Sequence, residues 1–353
     1  MGKKTKTRIG ILTAGGDCPG LNAAIRGIGK AAILEYGMEV IGISDGFLGL
    51  INNDYSVLKE ENLSGILTLG GTILGTSREK PFKKNNTGNP FQDVDKPKLI
   101  KKHYDEIGLD CLVCIGGNGT QKTAARLSEE GLNVIGIPKT IDNDVWGTDT
   151  TFGFASAVNI ATEAIDRLHS TANSHKRIMV IEVMGHQAGW IALHSGIAGG
   201  GDIIIIPEIK FDEKKIIETL IKRAEIKKSY SIVVVAEGIE VPKRKEDVCR
   251  KISAGQYIAK IINEKTGFET RETVLGYIQR GGTPSPIDRI LATRYGAFAA
   301  ELIAKKKFGN MVAIINDNLV PVPLKDVANK TKFVPADYPM IKKARYIGTS
   351  FGD

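Results

Sequence analysis

The stretch RIGILTAGGDCPGLNAAIRGIGKAAIL, residues 8–34, decides the fold of this chain. Its beginning, Arg8–Ala14, is a short apolar run that predicts a β-strand and is followed by glycine. Residues 20–34 then have apolar side chains at helical spacing, and Glu39–Ile43 predicts the next strand. A strand, a helix and a strand in this order predict a βαβ unit and therefore a parallel sheet.

The same alternation continues along the chain. Further strands are predicted over 111–115, 134–137, 177–183, 203–206 and 231–236, with helices over 120–130, 156–172 and 214–227. Two such runs lie before and after about residue 150, and no Pro-rich or Gly/Ser-rich linker separates them. A length of 353 residues suits two domains of ordinary size. We therefore predict an α/β fold of two domains with largely parallel sheets.

The composition is that of a globular protein, with 42% hydrophobic and 25% charged residues. The net charge is +8, but the lysines are dispersed in pairs without an RNA-binding or zinc-finger motif. A positive field suits a small anionic substrate equally well, and we expect no nucleic acid. The longest uncharged run, between Glu182 and Asp202, is too polar to span a membrane. The short apolar stretch near the N-terminus is no secretory signal, and we expect a cytoplasmic protein.

Two glycine-rich turns follow predicted strands: TAGGDCPGLN at residues 13–22 and IGGNGT at residues 115–120. Without Cβ atoms, the backbone of such a turn can approach a phosphate and offer it N–H groups and a helix N-terminus. A tight structural turn is the alternative for either one alone. Two such turns are what a bound nucleotide or polyphosphate needs. Ligands of parallel α/β sheets bind outside the carboxyl ends of the strands, where both turns lie.

Three further segments carry polar candidates. In PKTIDND, residues 138–144, one acid can accept a hydroxyl proton while the other helps hold a metal bound through phosphate oxygens. The alternative there is an Asx-rich loop that caps a helix. For EVMGHQAGW, residues 182–190, the alternative is a buried strand, turn and helix with His186 in the core. Arg271 and Arg280 beside glycines could grip a phosphate, unless they belong to a solvated basic face. Together these features predict phosphoryl transfer.

The motifs resemble those of one family. GGDCPGLNAAIRG, GGTILGTSR, GGNGT, PKTIDND, EVMGHQAGW, AEG and ETRETVLGYIQRGG occur in the order and approximate spacing of 6-phosphofructokinases, over residues 8–315. The chain resembles the phosphofructokinase A type, in the branch with lysine in PKTIDND, which contains both ATP and pyrophosphate users. The resemblance implies two similar Rossmann-like three-layer domains with mostly parallel sheets. Residues 1–153 with about 279–330 would bind the phosphoryl donor, and about 154–278 with 331–353 the sugar phosphate.

The implied reaction moves a phosphoryl group from ATP to fructose 6-phosphate with Mg²⁺, as in glycolysis. The resemblance also implies that the enzyme is a homo-oligomer, dimer or tetramer, whose substrate site lies at an interface between subunits. The implied catalytic residues are Asp142 as proton acceptor with Thr140, Arg78 and Lys139. The implied donor site is Gly16, Arg78, Glu79, Gly117, Asn118, Gly119 and Thr120, and the implied metal ligands are Asn118 and Asp144. The implied sugar-phosphate site is Thr140, Ile141, Asp142, Arg177, Met184, Gly185, His186, Glu237, Arg271, Tyr277, Ile278, Gln279 and Arg280, with Arg177 and Arg271 reaching from the neighbouring subunit.

Several positions depart from the family pattern or bear on the donor. Asn118 and His186 stand where the family usually has Asp and Arg, which removes charge expected at the reacting centre. Gly119 matches ATP users, whereas pyrophosphate users carry an Asp that would repel the phosphates of a nucleotide. Lys139 matches pyrophosphate users but is shared by some ATP-using branches. We therefore expect an ATP-dependent enzyme; the alternatives are a pyrophosphate-dependent phosphotransferase and a catalytically weak regulatory subunit.

Overall fold

A computed structural model describes residues 6–83, 95–242 and 252–353 of the chain. These residues fall into two compact units. Unit 1 contains the described residues up to Thr140, together with Val145–Gly153 and Arg280–Thr331. Unit 2 contains Ile141–Asp144, Phe154–Gln279 and Lys332–Asp353.

Strands and helices alternate through both units. The strands are β1 (Arg8–Thr13), β2 (Glu39–Ile43), β3 (Tyr55–Leu58), β4 (Cys111–Gly116), β5 (Val134–Thr140), β6 (Phe152–Gly153), β7 (Ile178–Val183), β8 (Ile203–Ile205), β9 (Ser231–Ala236), β10 (Thr270–Val274), β11 (Asn310–Ile315) and β12 (Asn318–Pro323). The α-helices are α1 (Leu21–Leu34), α2 (Phe47–Asn52), α3 (Lys96–Ile107), α4 (Asn118–Glu129), α5 (Phe154–His175), α6 (Trp190–Ala198), α7 (Glu213–Glu225), α8 (Ala254–Thr266), α9 (Pro286–Ala304), α10 (Leu324–Val327) and α11 (Pro339–Tyr346).

Unit 1 is built on a mostly parallel sheet with the strand order β12-β11-β5-β4-β1-β2-β3, and β6 pairs with β5. Strands β2, β1, β4, β5 and β11 run parallel, while β3 and β12 pair antiparallel at the two edges. Strands β4 and β5 are buried along their whole length, as expected for parallel strands covered on both faces. Because β1, β4 and β5 are neighbours, the segments that follow them leave the sheet at the same edge.

Unit 2 is built on a smaller sheet of four parallel strands in the order β10-β7-β9-β8. Strands β7 and β9 are fully buried and form the centre of this sheet. The predicted α/β fold with mostly parallel sheets is therefore confirmed, although the eight-stranded sheet of unit 1 is twice the size of the sheet of unit 2.

The structure differs from the sequence predictions around PKTIDND. Strand β5 does not end at Ile137 but continues through Pro138, because Lys139 and Thr140 pair with the short strand β6. The predicted donor domain, residues 1–153 with about 279–330, includes residues 141–144, which the structure groups with unit 2. The backbone N–H of Lys332 donates to the carbonyl of Asp144 at 2.8 Å, which joins this segment to the C-terminal part of unit 2.

None of the helices in the described part of the chain is long and apolar enough to cross a membrane.

Candidate functional site

The first glycine turn follows β1 and is braced from within by two cations. The ammonium of Lys139 donates to the backbone carbonyls of Ala14, at 3.2 Å, and Gly16. The guanidinium of Arg280 donates through Nη1 to the carbonyl of Asp17 at 3.0 Å. A Cβ atom on Gly16 would lie 2.7 Å from that Nη1, so only glycine fits between the backbone and this arginine. Two positively charged side chains therefore lie against the backbone of this turn at the end of the strand.

The second glycine turn follows β4 and leads into α4. The amide of Ala14 donates to the carbonyl of Ile115 at 2.9 Å, which places the two turns side by side. Gly117 caps the helix without a side-chain hydrogen bond, and the first helical turn holds no acidic residue, so no carboxylate of that turn offsets the positive end of the helix dipole. A Cβ atom on Gly119 would meet no atom within 4 Å. This helix end can accept an anion and has room beside it.

The segment that carries Arg78 lies along the first turn. The amide of Gly15 donates to the carbonyl of Ser77 at 2.9 Å, and the Arg78 side chain that follows is exposed. Glu79, also predicted to contact the phosphoryl donor, forms an ion pair with Lys96 at 2.9 Å. Arg78 is therefore available to a ligand at the turn, while the carboxylate of Glu79 is engaged within the protein.

The carboxylate loop after β5 holds two buried acids. Asp142 is 8% exposed and Asp144 is 6% exposed. Burial and, next, the negative charge of Asp142 raise the pKa of Asp144 from 3.8 to about 6, against the opposing positive charges of His186 and Lys332. Asn143 between the acids has a φ of +52°, in the left-handed region. The loop therefore places two carboxyl groups, separated by one residue, in a largely buried setting.

The turn after β7 presents His186 outward. The backbone amides of Gly185 and His186 donate to Oε1 of Glu237, at 3.3 and 2.9 Å. His186 has a φ of +54° and an exposed side chain, while Met184 before it is half-buried. The alternative of a core histidine is therefore wrong. Glu237, which follows β9, holds this turn through the backbone.

Two arginines converge at the edge of the unit 2 sheet. The Nη2 atoms of Arg177 and Arg271 each lie 2.7 Å from Oε1 of Glu269. The hydrogen bond from Arg177 lowers the pKa of the Glu269 carboxyl below its ordinary value. Glu269 was not among the predicted site residues, although its spacing of two from Arg271 beside a strand puts both side chains on one face. Since one carboxylate offsets only one of the two positive charges, the pair keeps a net positive charge that attracts an anion.

The remaining predicted residues lie in different settings. Thr140 and Ile141 are buried at the end of β5 and just after it. Tyr277 and Ile278 are exposed on a short 3₁₀ turn, Gly276–Arg280, and Gln279 in the same turn is buried. Asn118 belongs to unit 1 and Asp144 to unit 2. Within the described ranges, no three His, Cys, Asp or Glu side chains gather in a group that could hold a metal ion.

Comparison with known proteins identifies relatives over almost the whole chain. The family model described as Phosphofructokinase matches residues 8–303. ATP-dependent 6-phosphofructokinase 3 of Bacteroides thetaiotaomicron is 59% identical over 345 residues, covering 98% of this chain and 100% of the relative. ATP-dependent 6-phosphofructokinase of Spirochaeta thermophila is 57% identical over 366 residues, covering 99% of each. Pyrophosphate–fructose 6-phosphate 1-phosphotransferase of Streptomyces coelicolor is 45% identical over 345 residues, covering 94% of this chain and 97% of the relative.

Solved structures agree with these relatives. The crystal structure of Pichia pastoris phosphofructokinase in the T-state matches 98% of this chain with a TM-score of 0.81 and 30% sequence identity. The chain spans only 37% of the length of that yeast chain. The predicted resemblance is confirmed by the family model and by relatives that match from end to end: the chain belongs to the phosphofructokinase family.

Proposed function

We propose that the chain is an ATP-dependent 6-phosphofructokinase, which transfers the γ-phosphoryl group of ATP to the 1-hydroxyl of fructose 6-phosphate. The observation that carries the proposal is the pair of adjacent glycine turns, braced by Lys139 and Arg280 and followed along the chain by the buried carboxylate loop. The names of the Bacteroides and Spirochaeta relatives support the same activity. As a phosphotransferase of sugar metabolism it would act in the cytoplasm.

Asp142 accepts the proton of the attacking hydroxyl in this proposal. A carboxylate is a weak base for an alcohol, but phosphoryl transfer passes through a loose transition state that needs little deprotonation at first. Thr140, just before it in the chain, contacts the sugar. Arg78 and Lys139 stabilise charge that develops on the phosphoryl oxygens, a task for which fixed positive groups in a partly dry site are effective.

ATP is the preferred donor because of Gly119. The open space beside this residue leaves room for the nucleotide's phosphates, and no carboxylate repels them. Pyrophosphate is the second candidate, since Lys139 occurs in pyrophosphate users and the Streptomyces relative carries that name. The ammonium of Lys139 is held by the carbonyls of the first turn, so it stabilises the turn whichever donor is bound.

Mg²⁺ fits the residues that would hold it. The buried carboxyl of Asp144, with its raised pKa beside Asp142, is an oxygen donor that a divalent cation would stabilise in its ionised form. Asn118 adds a neutral oxygen. Mg²⁺ usually takes few protein ligands and completes its shell with phosphate oxygens and water, which suits a site without a three-residue cluster in the described part of the chain. When bound, the ion would neutralise charge on the donor phosphates.

The sugar phosphate would be held by unit 2. Met184, Gly185, His186 and Glu237 form the turn for the sugar, and Arg177 with Arg271 grips the 6-phosphate in the fork geometry that guanidinium groups favour. We propose that this arginine pair serves the active site of a neighbouring subunit, so that the protein works as a homo-oligomer. Light scattering that finds a fully active monomer would contradict the oligomer.

Initial rates with fructose 6-phosphate and Mg²⁺, measured with ATP and pyrophosphate in parallel, test the proposal. Turnover with ATP alone supports the proposal. Turnover with pyrophosphate alone would show that pyrophosphate, and not ATP, is the phosphoryl donor. Activity with neither favours a regulatory subunit. Asp142→Asn keeps the shape but removes the base, so turnover should fall by about 10²- to 10⁴-fold. A variant that keeps most of the wild-type turnover would show that Asp142 is not the base.

A further inference from the structure

The C-terminal segment Lys332–Val334 lies against the carboxylate loop, although about 190 positions of chain separate them. The amide of Lys332 donates to the carbonyl of Asp144 at 2.8 Å, and its ammonium donates to Oδ1 of Asn143 at 3.0 Å. Both residues that follow Asp142 are thus tied to a single lysine. All of these residues belong to unit 2.

The segment is itself fixed to the start of α6. The indole N–H of Trp190 donates to the carbonyl of Lys332 at 2.9 Å, and the lysine ammonium lies 5.5 Å from the centre of that indole ring. Two residues on, the amide of Val334 donates to Glu208, whose carboxylate also accepts from the amide of Gly189. Val334 is 2% exposed and Trp190 is 6% exposed, so the contact is packed as well as hydrogen-bonded. Lys332 therefore approaches the loop from an anchored backbone.

The conformation of Asn143 makes this contact consequential. With φ at +52°, Asn143 is in the left-handed region, which asparagine adopts more readily than most residues but which still costs free energy relative to a helical or extended backbone. The hydrogen bond from Lys332 engages the side chain of this residue directly. Asn143 is bonded directly to Asp142, so a hydrogen bond that fixes Asn143 restricts the backbone from which the Asp142 carboxylate projects.

We propose that Lys332 is a positioning residue for phosphoryl transfer, which acts through Asn143 to hold Asp142 in its reactive orientation. The inference rests on the proposed function, because it takes Asp142 as the group that accepts the proton. A base displaced by about 1 Å costs roughly 10²-fold in rate. Substrate binding by the arginine pair, in contrast, does not depend on this lysine.

Lys332→Met tests the inference, because methionine is an unbranched side chain of similar length without the ammonium and leaves the backbone N–H and carbonyl in place. We expect kcat to fall by about 10- to 100-fold while KM for fructose 6-phosphate changes less than about threefold. Lys325→Met is the matched control, since Lys325 is exposed on α10, and it should leave kcat unchanged. Asn143→Gly removes the acceptor and tolerates the positive φ, so it completes a double-mutant cycle.

The cycle decides the outcome. If Lys332 acts through Asn143, Lys332→Met should lower kcat by less than about twofold in the Asn143→Gly background. A full loss in that background would overturn the inference, as would an unchanged kcat for Lys332→Met in an active enzyme. The indole N–H resonance of Trp190 in an NMR spectrum should stay in place in Lys332→Met. A change of its chemical shift to that of a solvent-exposed indole would show that the whole segment has detached. This result would also overturn the inference. A wild-type enzyme inactive with both donors would instead count against the proposed function.

Discussion

Asp144→Asn should stabilise the protein in the absence of ligands while abolishing most of its activity. The pKa of this carboxyl rises from 3.8 to about 6 in the folded protein, chiefly through burial. Unfolding returns it to its ordinary value, so between about pH 4 and pH 6 the unfolded state releases the proton first. Folded protein thus loses stability as the pH rises through this window. At 1.36 kcal/mol per pH unit, the cost above pH 6 is about 3 kcal/mol, which the neutral asparagine removes.

Urea unfolding followed by tryptophan fluorescence measures this gain, with EDTA present and without nucleotide so that no cation offsets the charge. We expect about 3 kcal/mol at pH 7.5 and about half of it at pH 5. Asp166→Asn, an exposed position on α5, is the matched control and should change the free energy of unfolding by less than about 0.5 kcal/mol. An Asp144→Asn variant that is less stable than the wild type at pH 7.5, or equally stabilised at both pH values, would refute the reasoning.

Two substitutions in the glycine turns should separate donor binding from folding. Gly119→Asp finds open space and adds a carboxylate at the N-terminus of α4, so stability should be kept, while kcat/KM with ATP falls by at least about 10-fold and more than with pyrophosphate; equal losses with both donors would mean that Gly119 does not select the donor. Gly16→Ala brings a Cβ to within 2.7 Å of Arg280 Nη1, so the arginine must move and kcat/KM with ATP should fall by about 10-fold or more; an unchanged kcat/KM would show that the arginine does not matter at this turn.

The sequence predicted the parallel core because its strands are continuous apolar runs bounded by glycine. Strand β9 was predicted with the bounds that the structure has, and β5 was predicted too short. Its last residues, Lys139 and Thr140, are polar and follow a proline, so no apolar pattern marks them. They are held as a strand by β6, a pairing of two residues that local sequence does not encode.

The site was predictable where its residues lie next to one another in sequence. The two glycine turns follow β1 and β4, and because these strands are neighbours in the sheet of unit 1, both turns lie at one edge of it. Lys332 and Glu269 were missed for different reasons. Lys332 reaches the loop through tertiary packing with Trp190, and no residue spacing in the sequence predicts that contact. Glu269 was visible beside Arg271, but an acid within a predicted anion site looks unfavourable until the structure shows it bridging two arginines, which keep a net positive charge.

The buried acids also bear on whether the chain is a catalyst or a regulatory subunit. Asn118 and His186 lower the charge expected at the reacting centre, and by themselves they fit a chain that has lost its activity. Asp144 argues the other way, because burial raises the pKa of its carboxyl, so ionising it at neutral pH works against the stability of the folded protein. A chain without catalysis would gain that stability through a single change to asparagine. An active enzyme, in contrast, needs both carboxylates, Asp142 for the substrate and Asp144 for the cation. Such a loss of stability in exchange for activity is typical of functional sites.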